Sequence, residues 1–397
     1  GIISAWFSSE PMRDLYSVGV TGTNGKTTVT TLLHQIMSAA GRESGLIGTV
    51  ETRIGNETLP SKRTTPESSD LQALSAVMRE RHMRNLVMEV SSHAIALERI
   101  RGSHFAVVAF TNLSQDHLDF HKTMEDYFAA KAKLFTFEFA DLAVINIDDA
   151  HGVQLAAKTE LPVMSVSRHD QSATWHYASI ESDYVGAHVA IRGSGGILIE
   201  GKVQLHGGFN YDNLLMAVAI ANESGIDPID IAAILPHLTG ASGRLESVRL
   251  GQNFTALIDY AHSPDAVARV LETAHEITTG RVIAVLGCGG DRDTSKRPLM
   301  GKALRDGADV AIFTSDNPRS EKPAEILVQM TLGLAIHEPS AIIEDRLSAI
   351  KAAVDEAQEG DLVLILGKGH EKGQEIAGVN HPFDDRVELA RAIEDKK

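Results

Sequence analysis

A glycine-rich stretch at residues 19–28, GVTGTNGKTT, joins an apolar run to an amphipathic one. The run before it, LYSVGV, is typical of a buried strand, and the run after it has apolar residues at helical spacing up to Gly41. A strand that enters a helix through such a turn points backbone N–H groups and a helix N-terminus at one place, which favours anion binding. The stretch therefore predicts an α/β fold with a phosphate-binding loop. The helix is predicted from Val29, Leu32, Leu33, Ile36 and Met37.

The loop has the residue types of a P-loop without its usual spacing. The usual pattern has a glycine five places before the glycine of Gly-Lys-Thr, where this chain has Val20. Gly22 and Gly25 still allow the turn, Lys26 is expected to reach terminal phosphates, and the hydroxyl of Thr27 is suited to Mg²⁺. The loop alone fits a kinase, an ATPase or a ligase.

Further apolar strands follow in two groups, which predict two domains. We expect a P-loop central ATPase domain on a parallel sheet at residues 1–241, and a smaller Rossmann-like α/β C-terminal domain at residues 242–397. The boundary is placed at the small residues of LTGASGR, and residues 163–205 are expected to add antiparallel strands. Polar motifs follow the strands, so ligands are expected at the carboxyl ends of the strands, in a cleft between the domains. The strand candidates are NLVMEV, FAVVAF and LAVINI, then FTALIDYAH, RVIAVLG, DVAIFTSDNPR and DLVLILGKGHE.

Composition narrows the class of protein. A single cysteine, Cys288, excludes an internal disulfide framework and a cysteine zinc site. A net charge of −16 argues against a nucleic-acid partner, and no apolar run is long enough to span a membrane. We therefore expect a cytoplasmic protein with neither a nucleic-acid nor a membrane partner.

Acidic and imidazole groups follow two of the predicted strands. Glu89 ends NLVMEV, and His117 lies in TNLSQDHLDFH, directly after FAVVAF. Mg²⁺ takes few protein ligands when phosphate oxygens complete its shell, so Thr27, Glu89 and one histidine would suffice. A structural ion pair for Glu89 and a solvated loop around His117 stay open as alternatives. In the predicted helix YFAAKAKLF, Lys131 alone is typical of a surface lysine.

A set of motifs occurs in order along the chain: TGTNGKTT, TTPE, MEVSSHA, FTNLSQDHLDFH, YFAAKAKLF, GGFNYDN, SGRLE, DYAHSPDA, GCGGDRDTSKRPLM, TSDNPRSE and LGKGHEKGQ. Together these motifs resemble the Mur ligase family, and most closely its members that add meso-diaminopimelate. The resemblance runs from about Val18 to the C-terminus. It implies that ATP phosphorylates an acceptor carboxylate and that an amine displaces phosphate to form an amide.

The resemblance implies roles for residues of the predicted central domain. ATP would contact Gly22, Thr23, Asn24, Gly25, Lys26, Thr27, Thr28, Asn210 and Asn213, together with Arg244 and Asp259 of the second domain. The catalytic group would be Lys26, Glu89, His117 and Lys131. Thr27 and Glu89 would bind Mg²⁺, and His117 would help at a second metal ion. Lys131 would be a metal ligand as a carbamate, since CO₂ turns a neutral lysine amine into an anion. The acceptor would contact Thr64, Thr65, Ser91 and Arg99.

The chemistry of diaminopimelate predicts which groups would bind the incoming amino acid. The distal carboxylate of diaminopimelate needs a guanidinium, and its distal ammonium needs a carboxylate. Arg319 in DNPR and Glu371 in GKGHE supply these two groups. The resemblance implies a set made of Arg292, Asp316, Asn317, Pro318, Arg319, Gly367 and Glu371.

Departures from the family leave the acceptor open. The family has an N-terminal domain that binds the uridine nucleotide, and the 18 residues before Gly19 are too few for it. We therefore expect either a fragment of a longer protein or a short ligase that lacks this domain and whose acceptor lacks the nucleotide. Arg63 stands where the family has Asn, and Leu97 replaces a polar residue. The acceptor is either a UDP-sugar peptide or a smaller peptide of a specialised pathway. A small-molecule kinase is the weaker alternative. After Gly287 and Gly289 the dinucleotide fingerprint fails at Arg292, which argues against an NAD enzyme.

Overall fold

The chain divides into two compact units. The computed structural model describes residues 1–183 and 185–396, apart from the side chain of Asp119. The first unit comprises Gly1–Glu181 and Ala187–Gly240, and the second comprises Ser182–Gly186 and Ala241–Lys397.

The first unit contains helices on both sides of a large sheet. Its helices are α1 (Ile2–Phe7), α2 (Lys26–Ala39), α3 (Ser68–Glu80), α4 (Ser92–Ala96), α5 (Leu118–His121), α6 (Met124–Ala132), α7 (Ala150–Lys158), α8 (Gly208–Glu223) and α9 (Pro228–Ile234). Its strands are β1 (Tyr16–Thr21), β2 (Ser44–Ile47), β3 (Glu51–Ile54), β4 (Glu57–Pro60), β5 (Asn85–Glu89), β6 (Phe105–Phe110), β7 (Ala140–Asn146), β8 (Val163–Ser167), β9 (Trp175–Asp183), β10 (Gly186–Arg192) and β11 (Leu198–Val203).

Strand β1 lies in the middle of this sheet, between β5 and β6 and parallel to both. The order of the described strands is β11-β10-β9-β8-β7-β6-β1-β5-β2-β3-β4. The glycine-rich loop, Glu89 and Thr111 therefore all follow the carboxyl ends of adjacent strands. The predicted helix is confirmed as α2, and its five apolar residues are fully buried.

The prediction for residues 163–205 is partly wrong. Strands β10 and β11 are antiparallel as expected, but β8 pairs parallel with β7, and β9 starts parallel to β8. The reason is α7, which lies between β7 and β8 and supplies the crossover that a parallel pair requires.

The second unit is a smaller α/β layer structure. The order of its main sheet is β12-β13-β17-β14-β15-β16, with β13, β17, β14 and β15 parallel. Apolar side chains cover both faces of the sheet. The helices are α10 (Pro264–Ile277), α11 (Lys296–Gly307), α12 (Pro323–Met330), α13 (Arg346–Glu356) and α14 (Asp385–Lys396). The strands are β12 (Glu246–Ser247), β13 (Thr255–Asp259), β14 (Val282–Cys288), β15 (Val310–Ser315), β16 (Ala341–Ile342), β17 (Leu362–Leu366), β18 (Gly373–Ile376) and β19 (Val379–Pro382).

Among the described residues, none of the helices combines the length and the apolar character needed to cross a bilayer.

Candidate active site

The glycine-rich loop is shaped by two glycines in backbone conformations that other residues rarely adopt. Gly22 has φ of 150° and Gly25 has φ of 86°. A Cβ atom on Gly22 would lie 1.8 Å from Thr111 Oγ1, and one on Gly25 would lie 2.3 Å from Asn213 Oδ1. Both positions therefore require glycine for space as well as for φ.

Two residues after β6 hold the loop, and sequence reasoning did not assign them a role. The Thr23 N–H donates to Asn112 O at 2.9 Å, and the Asn24 N–H donates to Asn112 Oδ1 at 3.0 Å. The Thr111 hydroxyl donates to Asn24 O at 2.6 Å. The signal that could have found them is their place at the end of a strand beside β1.

Two lysine ammonium groups meet at one carbonyl oxygen of the loop. Lys26 Nζ donates to Gly22 O at 2.9 Å and to Thr23 O at 2.8 Å. Lys131 Nζ donates to the same Gly22 O at 2.8 Å and lies 4.5 Å from the centre of the Tyr127 ring. The Lys131 side chain is 1% exposed, so its interpretation as a surface lysine is wrong. Helix α6 directs Lys131 into the interior of the first unit, because its buried face also carries Tyr127 and Phe128.

The surroundings of Lys131 disfavour its charged form. Burial is the main cause that lowers the pKa of Lys131 well below its usual value, and the charge of Lys26 lowers it further. Asp116 opposes the shift. A neutral amine at this position is nucleophilic, which a surface lysine at neutral pH is not.

Glu89 is buried at the end of β5 and is held by Thr49, a residue that sequence reasoning missed. The Thr49 N–H donates to Glu89 Oε1 at 2.7 Å, and the Thr49 hydroxyl donates to Glu89 Oε2 at 3.0 Å. Thr49 Oγ1 also lies 3.0 Å from Thr64 Oγ1. Within the described residues, Glu89 is thus held by hydrogen bonds and not by the ion pair considered as an alternative, and lone pairs remain on both of its oxygens.

Three of the predicted acceptor residues, Thr64, Thr65 and Ser91, lie around Glu89, and the fourth, Arg99, follows further along the chain. The Thr65 hydroxyl donates to Glu89 O at 2.9 Å and accepts from the Ser91 N–H at 3.0 Å. Ser91 in turn caps α4. Arg99 Nε lies 3.1 Å from Glu67 Oε1, which also pairs with Arg63 at 2.7 Å. Arg63, which stands where the family has Asn, therefore gives the Glu67 carboxylate a second cationic partner in addition to Arg99.

His117 belongs to a cluster of rings rather than to the Glu89 group. Its ring centre lies 4.8 Å from that of His93 and 6.0 Å from that of Tyr127. Its side chain is 44% exposed, with Nε2 3.4 Å from Asp116 Oδ2. Burial lowers the pKa of His117 and Asp116 opposes this, so the imidazole is mainly neutral at pH 7 and able to bind a metal.

No group of three or more His, Cys, Asp or Glu side chains that could hold a metal ion occurs within residues 1–183 and 185–396, Asp119 aside. The predicted donor set includes two such residues, Glu89 and His117. It is completed by the Thr27 hydroxyl and Lys131.

Helix α8 carries both Asn210 and Asn213, and Asn213 lies beside the glycine-rich loop. Asn213 Oδ1 is the group that a Cβ on Gly25 would meet. Asn210 donates from Nδ2 to His206 O at 2.9 Å. Its Oδ1 atom is buried and accepts no hydrogen bond in the described part of the chain, so it can accept one from a ligand.

In the second unit, Asp259 and Arg244 lie near the end of β13. Asp259 is buried and accepts from the N–H groups of Leu245 at 2.9 Å and Ala261 at 2.8 Å. Burial raises the pKa of Asp259, and Arg244 opposes this. The Arg244 guanidinium lies 5.0 Å from the centre of the Tyr260 ring.

Four predicted amino-acid contacts converge where β15 and β17 end. A Cβ on Gly367 would lie 2.7 Å from Asp316 Oδ2, and Asp316 Oδ1 accepts from the Asn317 N–H at 2.6 Å. The Asn317 amide donates from Nδ2 to Glu371 Oε2 at 2.7 Å. Burial raises the pKa of Asp316.

Arg319 lies on the same loop after β15 as Asp316 and Asn317, and it has φ of 53°. Its Nη1 atom donates to Gly290 O at 2.6 Å, and its Nε lies 3.3 Å from Glu375 Oε2. Pro318 packs on the same loop, because a Cβ on Gly290 would lie 1.9 Å from Pro318 O. Arg292 is exposed and bonds Asp291 O at 3.4 Å, so the structure does not bring it to the Asp316 group by a hydrogen bond.

A fully buried ion pair, also missed from the sequence, fixes the ends of β15 and β17. Arg346 donates to the two oxygens of Asp385 at 2.8 and 2.7 Å. It also donates to Leu366 O at 2.9 Å and to Ser315 O at 3.3 Å. These carbonyls precede Gly367 and Asp316, so the pair sets the spacing of the predicted amino-acid site.

Comparison with known proteins agrees with this arrangement of loop, lysines and strand-end motifs. Residues 20–221 match the Mur ligase middle domain, and residues 243–369 match the Mur ligase, glutamate ligase domain. The chain therefore belongs to the Mur ligase family, and the predicted enzyme class, an ATP-dependent acid–amino-acid ligase, is confirmed.

Curated relatives at high identity carry one shared name. The UDP-N-acetylmuramoyl-L-alanyl-D-glutamate--2,6-diaminopimelate ligase of Streptomyces coelicolor is 48% identical over 399 residues, which cover 99% of this chain and 79% of the relative. The enzyme of the same name from Corynebacterium glutamicum is 44% identical over 407 residues, covering 100% of this chain and 78% of the relative.

Solved structures confirm the predicted α/β fold class. A structure of an enzyme with the same name is 36% identical with a TM-score of 0.76, and the match covers 99% of this chain and 82% of the other. A folylpolyglutamate synthase from Mycobacterium tuberculosis, solved with ADP and AMPPCP, has a TM-score of 0.71 at 18% identity, covering 92% of this chain and 91% of the other. The latter likeness concerns the fold alone.

Proposed function

We propose that this enzyme joins meso-diaminopimelate to the peptide carboxylate of UDP-N-acetylmuramoyl-L-alanyl-D-glutamate, with ATP as phosphoryl donor, in peptidoglycan precursor synthesis. The names of relatives at 48% and 44% identity support this choice of substrates. The use of ATP supports a cytoplasmic location.

The observation that carries the proposal is the pair of lysines at Gly22 O. One loop carbonyl receives Lys26 at 2.9 Å and Lys131 at 2.8 Å, directly before α2 begins at Lys26. The helix N-terminus and the loop N–H groups attract phosphate. Lys26, which bonds two carbonyls in this state, would turn to the terminal phosphate when ATP binds.

The acceptor carboxylate would be phosphorylated beside the Glu89 group. Thr64 reaches the Glu89 carboxylate through the Thr49 hydroxyl, and Thr65 donates to the Glu89 carbonyl oxygen. These contacts support a role for the hydroxyls of Thr64 and Thr65 in orienting the acceptor. An acceptor oxygen attacks the terminal phosphorus of ATP, the bond from that phosphorus to the bridging oxygen breaks, and ADP leaves. The product is an acyl phosphate, which hydrolyses unless water is excluded.

The donor chemistry of the first unit suits Mg²⁺, with Glu89 and the Thr27 hydroxyl as ligands of one ion and His117, in the ring cluster, as a ligand of a second. Both Glu89 oxygens keep lone pairs beside their bonds to Thr49, the Thr27 hydroxyl lies at the start of α2, and the pKa of His117 is lowered by burial. When bound, Mg²⁺ would neutralise phosphate charge near the attacking carboxylate.

Lys131 is proposed to carry a carbamate. Its neutral amine adds to the carbon of CO₂ and releases one proton, which gives an N-carboxylate anion. The N–H of this carbamate can still donate to Gly22 O, while its negative charge removes the repulsion between two cations at one carbonyl. The anion would then join Glu89 as a Mg²⁺ ligand.

The amine would bind in the second unit. Arg319 presents a guanidinium for the distal carboxylate of diaminopimelate, and Glu371 presents a carboxylate for its distal ammonium. The unprotonated proximal amine attacks the acyl carbon, the bond from that carbon to the phosphate oxygen breaks, and inorganic phosphate leaves with an amide formed. The released proton passes to a base or to water.

The test is phosphate release with each substrate omitted in turn. With ATP, Mg²⁺, meso-diaminopimelate and the UDP-sugar dipeptide, we expect phosphate and a new amide detected by mass spectrometry. Phosphate release that needs neither acceptor nor amine would instead favour an ATPase or kinase. Turnover with a peptide that lacks the UDP-sugar, but not with the UDP-sugar dipeptide, would favour the specialised acceptor to which the departures at Arg63 and Leu97 point.

A further inference from the structure

Lys368 is fully buried in the second unit, directly after Gly367 at the end of β17. Its ammonium donates to Asn317 Oδ1 at 3.1 Å, to Glu371 Oε2 at 3.2 Å and to Gly373 O at 2.6 Å. An ammonium has three N–H donors and no acceptor. These three contacts use all of them, so Lys368 acts through its neighbours and not by touching a substrate.

The contacts of Lys368 close the loop that carries Glu371. The bond to Gly373 O ties the first residues after β17 to the first residue of β18. Glu371 lies within this loop, and its side chain is 33% exposed. The Glu371 side chain loses rotamer freedom because its carboxylate is bonded to the buried ammonium of Lys368.

Only one oxygen of Glu371 is held by the protein in the described part of the chain. Oε2 accepts from Asn317 Nδ2 at 2.7 Å and from Lys368. Oε1 receives no hydrogen bond from those residues. The carboxylate is therefore oriented through Oε2 and presents Oε1 to a ligand.

The charges around Lys368 favour a further cation. Two carboxylates, Asp316 and Glu371, lie near this one ammonium. Arg346 and Lys368 both lower the pKa of Asp316, but Arg346 also bonds both oxygens of Asp385. The three carboxylates of this group, Asp316, Glu371 and Asp385, therefore face two cations, Arg346 and Lys368. A second ammonium at Glu371 would complete the balance.

We infer that Lys368 is a positioning residue that aims Glu371 at the distal ammonium of the incoming amino acid and so sets the preference for a diamino acid. This inference rests on the proposed function. It predicts an effect on the choice between two amines rather than on ATP.

The test compares two amines with the Lys368→Met variant. Meso-diaminopimelate has the distal ammonium, whereas 2-aminopimelate keeps the distal carboxylate and has hydrogen instead of the ammonium. We expect the ratio of kcat/KM for the two amines to fall at least about 10-fold, mostly through the KM of diaminopimelate, because a hydrogen bond to a charged group is weakened. The KM for ATP should stay the same.

Lys396→Met is the matched control, since Lys396 also bonds backbone carbonyls, Val354 O at 2.6 Å among them, but lies on α14. We expect it to leave the ratio unchanged. Glu371→Gln should lower the ratio directly, and adding Lys368→Met to it should lower the ratio no further. If Lys368→Met does not fold, Lys368→Gln replaces it with the same expected fall.

Equal losses for both amines, with the ratio kept, would mean that Lys368 is merely structural and would overturn the inference. A wild-type enzyme that uses neither amine would overturn the proposed function first. The two failures are thus distinguished by the wild-type control.

Discussion

Lys26 Nζ and Lys131 Nζ donate to the same acceptor, the carbonyl oxygen of Gly22, at 2.9 and 2.8 Å. The two side chains come from different helices and converge under one glycine-rich turn. Two ammonium groups this close repel each other. Burial, with the charge of Lys26 adding to it, lowers the pKa of Lys131 well below its usual value. This contact links a phosphate loop to a lysine that can react with CO₂.

Lys131→Met should abolish amide formation, because the carbamate cannot form. Lys133→Met, two residues further on at an exposed position, is the matched control and should keep activity. Added short carboxylic acids should partly restore Lys131→Ala, since they supply an anion to the vacated space. In the wild-type enzyme, labelled CO₂ should give a carbamate carbon signal by NMR that Lys131→Met lacks. Full activity of Lys131→Met would contradict the assigned role.

Thr49→Val should raise the Mg²⁺ concentration needed for half-maximal activity, because Glu89 Oε2 loses its hydroxyl donor at 3.0 Å. The same change should lower the free energy of unfolding by about 1–3 kcal/mol, the cost of leaving a buried acceptor unsatisfied. Thr52→Val makes the same hydroxyl-to-methyl change at a buried threonine and should alter neither quantity by as much. An unchanged Mg²⁺ requirement in Thr49→Val would argue against Glu89 as a metal ligand.

Arg319→Ala should raise the KM for meso-diaminopimelate about 10- to 100-fold, as expected for a lost charge-assisted hydrogen bond. The KM for ATP should change little. Arg269→Ala, at an exposed arginine on α10, is the control. Equal increases in both KM values would remove Arg319 from the amine site.

The first unit should lose stability as pH falls from about 6.5 to about 4. His34 is buried, its Nδ1 lies 2.8 Å from Ser44 Oγ, and burial lowers its pKa to about 4. The unfolded chain takes up this proton near pH 6.5 and the folded chain does not, so the stability from His34 is full above pH 6.5 and is lost towards pH 4. The loss is at most about 3 kcal/mol.

His34→Asn should reduce this pH dependence, and His275→Asn, at an exposed histidine, should not. Both tryptophans, Trp6 and Trp175, lie in the first unit, so their fluorescence in urea reports the unfolding of that unit. The same pH slope in His34→Asn and wild type would show that another group titrates.

The parallel strands and the glycine loop could be predicted from the sequence because their signals are local. A short apolar run rich in β-branched residues and followed by glycine, such as VIAVLG, is typical of a buried strand, and a Gly-Lys-Thr turn between a strand and a helix is typical of a phosphate-binding loop. The contacts of Thr49, Lys368 and Arg346 could not be predicted in this way. Thr49 bonds Glu89, Lys368 bonds Asn317 and Arg346 bonds Asp385, and the two residues of each pair lie far apart in the sequence. A single threonine, lysine or arginine is common and does not by itself indicate such a contact.

Burial was the hardest property to predict. Lysine is a residue type that usually lies at the surface, and Lys131 is buried because α6 packs under the glycine-rich loop. The parallel pairing of β8 was missed for a related reason, since alternation within a strand does not indicate the direction of its neighbour.

The central claim, that an acceptor carboxylate is phosphorylated at the Gly22–Lys26 loop and then attacked by an amine, is tested most directly by following oxygen. The acceptor is prepared with the heavy oxygen isotope in its reacting carboxylate and turned over with ATP and meso-diaminopimelate. An acyl phosphate leaves one carboxylate oxygen on phosphorus, so each inorganic phosphate formed should carry one heavy oxygen. Inorganic phosphate without the label, formed in step with the amide, would contradict the account.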